Sequence, residues 1–91
     1  MIAKISKKKI TFEFYAPEAR SVFIAGSFNE WKPAANPLKK DKKGNWSTVV
    51  NLIPGSYEYR FIADGLWEDD PTCEMRNVNQ YGDYNCVLNV D

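Results

Sequence analysis

The chain of 91 residues contains no histidine and only two cysteines. Without histidine there is no His-based catalytic triad. With twelve residues between Cys73 and Cys86 there is no CxxC spacing, and a structural zinc site built from His and Cys is excluded with it. No apolar run approaches the ~18 residues of a membrane span, and no signal-peptide pattern follows Met1. The expected compartment is therefore the cytoplasm, with no membrane partner. In such a reducing setting Cys73 and Cys86 are expected to be free, partly buried thiols, although two cysteines can also pair. A helical period of useful length is missing as well.

What is present suits a folded β protein. Hydrophobic residues make up 44% and charged residues 26%, a globular rather than a disordered balance. The length fits one domain covering residues 1–91. Net charge is zero, yet residues 1–45 hold ten Lys/Arg against four Asp/Glu, and residues 46–91 hold two against eight. The runs Lys7-Lys8-Lys9 and Lys39, Lys40, Lys42, Lys43 raise the idea of a nucleic-acid face. In a small β fold the two halves interleave, which favours solvated strand ends and a turn. No nucleic-acid partner is expected.

The apolar period is two. Ile10, Phe12 and Phe14 alternate with polar neighbours, and Ser21–Ala25 is apolar on both sides, as in a central strand. "KKDKKGN" reads as a hairpin turn with Gly44 at positive φ. Trp46, Thr48, Val50 and Leu52 share a face, as do Tyr57, Tyr59, Phe61 and Ala63. Asp64-Gly65 is the strongest hairpin signal. Asp70-Pro71 opens an irregular stretch, and Cys86, Leu88 and Val90 belong to a closing strand. Short strands with frequent turns indicate an all-β antiparallel sandwich.

The three tryptophans separate. Trp46 opens an alternating run and belongs to the core. Trp31, in "FIAGSFNEWKP", follows a strand end among polar residues, and Trp67 follows the Asp64-Gly65 turn. Loop tryptophans can cap the end of a sandwich. Two of them with acidic and amide neighbours point instead to a binding surface. A pyranose suits it, because an indole face receives the C–H groups and short polar side chains take the hydroxyls.

The segments "VFIAGSFNEW", "GNW", "LIPGSYEYRFIADGLWEDDP" and "YGDYNCVLNV" together resemble the glycogen-binding module, carbohydrate-binding module family 48. The resemblance spans roughly Thr11 to Val90. It implies an early-set immunoglobulin-like β-sandwich and an α-1,4-glucan ligand such as glycogen or a starch-like oligosaccharide. It also implies stacking by Trp31 and Trp67, and hydroxyl contacts by Arg60 and Asn85. Two positions depart from the kinase-subunit pattern of that family. Tyr81 replaces a leucine that pierces the sugar ring, and Asp83 replaces a threonine. Tyr81, Asp83 and Lys32 form a second tier of expected binding residues. A catalytic domain or subunit acting on glycogen is the implied partner. The competing reading is a sandwich that has lost sugar binding and docks on a kinase or amylase-type domain.

Glu68-Asp69-Asp70 invites an enzyme reading, since glycosidases use paired carboxylates. Adjacent carboxylates on a turn are expected to be solvated, and a small sandwich offers little cleft to desolvate them. Calcium-loop spacing is missing too. The expectation is a non-catalytic module without cofactor or metal.

Overall fold

The computed structural model describes residues 6–91. In chain order its strands are β1 (Lys8–Tyr15), β2 (Val22–Gly26), β3 (Asn36–Pro37), β4 (Lys39–Lys40) and β5 (Asn45–Leu52). They continue with β6 (Gly55–Ala63), β7 (Leu66–Glu68), β8 (Arg76–Val78) and β9 (Tyr84–Val90), and a 3-10 turn covers Ser27–Asn29. All pairings are antiparallel. One sheet runs β1-β5-β4; the other runs β3-β2-β6-β9-β8, with β7 added beside β6. The fold is an antiparallel β-sandwich of the immunoglobulin-like kind.

The alternating positions become the inner faces of the two sheets. Phe12, Trp46 and Leu52 from one sheet meet Ile24, Tyr59, Phe61 and Val90 from the other, all buried in one apolar cluster. Aromatic rings knit it together: Phe12 lies 5.1 Å from Tyr59, and Phe14 lies 4.7 Å from Phe61, between ring centroids. Trp46 is in this core as expected, and its indole N–H donates to the carbonyl of Ala16 at 2.8 Å. A buried indole nitrogen needs such a partner, because leaving it unpaired costs the desolvation of a polar group. Gly44 does adopt a positive φ, 91°, and a Cβ there would lie 2.5 Å from the Pro17 side chain.

The halves of the chain interleave as expected. β5, from the acidic half, pairs with both β1 and β4, and β2, from the basic half, lies in the larger sheet. Lys8 sits opposite Leu52 and Lys40 opposite Trp46, at the two ends of β5. At about 3.3 Å per residue that separates the two lysine groups by roughly 20 Å, so they do not merge into one basic patch.

Two expectations fail. Cys73 and Cys86 are not free: they form a disulfide, with Cα atoms 6.0 Å apart. Neither belongs to a spacing that reveals the pairing, because the contact arises when the loop after Asp70 folds back on β9. Asp70 is not a solvated turn residue either. It is 7% exposed, with one carboxylate oxygen accepting from the Tyr59 hydroxyl at 2.6 Å and the other from the backbone N–H and hydroxyl of Thr72. Burial, and then the Asp70 carboxylate beside it, raises the Tyr59 pKa above its ordinary value.

Candidate functional site

The outward face of the six-stranded sheet carries the residues that alternate with the core. Glu58 and Arg60 on β6 project there, next to Asn85 on β9 and Trp67 on β7. Two loops rise beside this floor and turn it into a groove.

The first loop explains "GSFNEW". Gly26 lies so close to β6 that a Cβ would stand 2.5 Å from the Glu58 carbonyl oxygen and 2.6 Å from the Phe28 ring. The Ser27 hydroxyl accepts from the Glu58 N–H at 3.1 Å, and Phe28 stacks on Phe12 at 5.6 Å. Asn29 locks the turn. Its side chain accepts from the Gly26 N–H at 3.0 Å and donates to the Ile24 carbonyl at 3.0 Å and to Asn36 Oδ1 at 2.7 Å. Glu30 and Trp31 then both take left-handed backbone angles, φ 59° each. A non-glycine residue rarely adopts that conformation, and the surrounding bonds must hold it there. The motif is thus a device that delivers Trp31 to the groove rim.

The second wall is the Asn79–Asp83 turn between β8 and β9. Asn79 Oδ1 accepts from the N–H groups of Tyr81 and Asp83 at 2.9 and 3.1 Å, and the Asn79 N–H donates to the Asp83 carbonyl at 2.7 Å. Its amide nitrogen also donates to Asn85 Oδ1 at 3.1 Å, and Asn85 in turn donates to Glu58 Oε1 at 3.3 Å. Tyr81 is left projecting, 81% exposed.

On the same edge of β6 as β9, the Asp64-Gly65 turn, with both residues at positive φ, reverses the chain and sets Trp67 opposite Ile62. Asp64 is fixed by the N–H groups of Arg20 and Ser21, which donate to one carboxylate oxygen at 2.8 and 3.0 Å. These donors hold its pKa below the ordinary carboxylate value.

The groove encloses about 810 Å³. Six of the seven expected residues line it: Trp31, Arg60, Trp67, Tyr81, Asp83 and Asn85. Lys32 is exposed beside Trp31 but does not line the cavity. Sequence reasoning missed Ser27, Glu58, Val78, Asn79 and Gln80, which also line it. Glu58 was reachable from the period of two that it shares with Arg60. Asn79 sits in the irregular stretch, where no pattern marks it.

Arg60 is heavily committed. Its Nη2 is 3.0 Å from Asp69 Oδ1 and donates to the Trp67 carbonyl at 3.5 Å, while Nη1 is 3.6 Å from Asp83 Oδ2. The Arg60–Asp69 contact is close but not aligned as a hydrogen bond, so charge attraction holds it. Asn85 is buried as well, with both ends of its amide engaged. Of the three consecutive acids, Asp69 is held by Arg60, Asp70 by Tyr59 and Thr72, and Glu68 is exposed. Among the described residues no cluster of His, Cys, Asp and Glu is arranged to hold a metal ion, and no helix is long and apolar enough to cross a membrane.

A sandwich with an aromatic-rimmed, polar-floored groove on one sheet is a carbohydrate-binding module in its architecture. Residues 9–91 match the family model described as the glycogen recognition site of AMP-activated protein kinase, and the chain belongs to that family. It is similar to the protein FLOURY ENDOSPERM 6, chloroplastic, of Oryza sativa subsp. japonica, 30% identical over 86 residues, 94% of this chain and 16% of that protein. With PTST homolog 2, chloroplastic, of Arabidopsis thaliana it shares 42% identity over 66 residues, 72% of this chain and 12% of that protein. The subunit beta-1 of the 5'-AMP-activated protein kinase of Sus scrofa is 32% identical over 71 residues, 78% of this chain and 55% of that protein. The chain thus spans only part of the length of each of these relatives.

Proposed function

We propose that this module, acting as one unit over residues 1–91, holds an α-1,4-linked glucan in the groove and performs no chemistry on it. Trp31 and Trp67 supply two stacking faces and Tyr81 a third. Arg60, Asp83 and Asn85 meet the hydroxyl edge, and Lys32 reaches it only at the outer margin. The observation that carries this reading is the convergence of three aromatic residues, from two loops and the short strand β7, on one cavity of about 810 Å³, within the usual size of a ligand site. Its floor is built from groups that exchange hydrogen bonds with hydroxyls. The absence of catalysis is supported by how the acidic residues are spent, since Asp69 and Asp70 are tied to Arg60 and Tyr59. Glycogen or starch-like polymer is the proposed target, and bringing a catalytic domain or subunit to that polymer is the proposed role. The proposed compartment is the cytoplasm. Two relatives are named as chloroplastic, and a Cys73–Cys86 disulfide retained in protein alkylated directly from cells would count against a reducing cytoplasm.

Calorimetry with maltoheptaose tests the reading. A shallow, wet groove should bind with Kd between roughly 1 μM and 1 mM. Trp31→Ala and Trp67→Ala should each remove about 1–3 kcal/mol of that affinity, while Arg60→Ala removes less because water replaces part of a hydroxyl contact. Parent-like binding by both tryptophan variants would reject the groove. Unretarded migration of the parent through a glycogen-containing native gel would favour the docking module instead.

A further inference from the structure

The charges of the groove are unequal. Its lining holds Glu58, Arg60 and Asp83, two carboxylates against one guanidinium, and Asp69 presses on that guanidinium from behind at 3.0 Å. Arg76 reaches only the other oxygen of Asp69, at 4.0 Å, and Lys32 stands outside the lining. Arg60 is therefore compensated before any ligand arrives. A cation meant to seize an anionic ligand keeps its fork free for bidentate contact; here both terminal nitrogens already face carboxylates.

We infer that the groove selects neutral glucan and rejects glucan bearing phosphate monoesters, with Asp83 and Asp69 as the residues that set this preference. The inference rests on the glucan reading above and names the chemistry of its ligand. A carboxylate accepts hydrogen bonds and donates none when ionised, so Asp83 and Glu58 suit sugar hydroxyls, which can donate. A phosphate monoester carries a charge of about −1.5 to −2 near pH 7 and offers only acceptors to those oxygens. At groove distances in a water-filled site the resulting repulsion amounts to a several-fold loss of affinity. Because it acts through solvent, salt weakens it.

The test compares maltoheptaose with maltoheptaose 6-phosphate by calorimetry, at 50 mM and 500 mM NaCl, for the parent and the Asp69→Asn/Asp83→Asn double variant. Both aspartates are substantially solvent-exposed, so the double variant should fold. The expected result is that the parent binds the phosphorylated ligand about five- to tenfold more weakly at low salt. That ratio should shrink at high salt and approach one, or invert, in the double variant, where Arg60 is released. Equal or tighter binding of the phosphorylated ligand by the parent overturns the inference while leaving the glucan reading intact. A ratio unmoved by salt and by the double variant shows steric exclusion and overturns it too. If neither ligand binds the parent, the glucan reading itself falls, and this inference with it.

Discussion

Tyr59 and Asp70, eleven residues apart, meet inside the sandwich with their oxygens 2.6 Å from each other, both residues less than a tenth exposed. The pair ties the loop after β7 to the middle of β6, directly behind the groove. Tyr59→Phe removes the donor and leaves a buried carboxylate oxygen unsatisfied, which costs about 1–3 kcal/mol. Urea denaturation measures it, and an unchanged midpoint would show that Asp70 had found water.

The Cys73–Cys86 disulfide closes a short loop around that same segment. A cross-link across a loop of this length stabilises by about 3 kcal/mol in the chain-entropy model. Reduction should then lower the melting temperature by roughly 10 °C or more, given the small size of the domain. Coincident melting curves with and without reductant would contradict this.

Asn29 carries the orientation of Trp31. Asn29→Ala deletes three hydrogen bonds at the turn, worth about 1–3 kcal/mol together once the partners regain water. Maltoheptaose affinity should fall several-fold although no residue proposed to touch sugar has changed. Unaltered affinity in calorimetry would mean that Trp31 finds its place without Asn29.

Trp46→Ala should cost about 3–5 kcal/mol, since it empties a core position and strands the Ala16 carbonyl. Thermal melts read the loss directly, and a parent-like melting temperature would refute the core assignment.

Asp41 and Asp64 are held below their ordinary value of 3.8 by backbone N–H donors, Asn45 and Lys43 for Asp41, Arg20 and Ser21 for Asp64. A lowered carboxylate adds stability above its unfolded value and loses it as pH falls through the folded one. Stability should therefore decline below about pH 4, the ordinary carboxylate range. The double variant Asp41→Ala/Asp64→Ala should show a flatter acid limb in melts between pH 7 and pH 2. An acid limb as steep as the parent's would assign the decline to other groups.

Much of the fold follows from the period of two. Phe12, Trp46, Leu52, Tyr59 and Phe61 alternate with polar neighbours because one face of each strand is buried, and that regularity is local enough to read from the chain. Turns announce themselves equally well: Gly44 and Asp64-Gly65 stand where a positive φ is needed, Trp31 stands out as an apolar residue beyond a strand end, and Trp67 as one just past a turn, although it proves to lie in the short strand β7. Arg60 and Asn85 fall opposite the apolar stripes for the same reason.

Contacts between distant segments carry no such signature. Cys73 and Cys86 pair, and Asp70 is buried under Tyr59, only because the loop after β7 folds across β9. Ile62 alternates with the core residues of β6 and yet is buried, on the face it shares with Phe23 and Trp67 as cross-strand partners. Asn79 becomes the clamp of the Tyr81 turn through bonds that exist once β8 lies against β9. Local periodicity decides which face a residue takes. Which residues then meet across the groove, and whether Arg60 arrives there free or already neutralised, depends on loop closure between separated segments, and only the tertiary structure decided it.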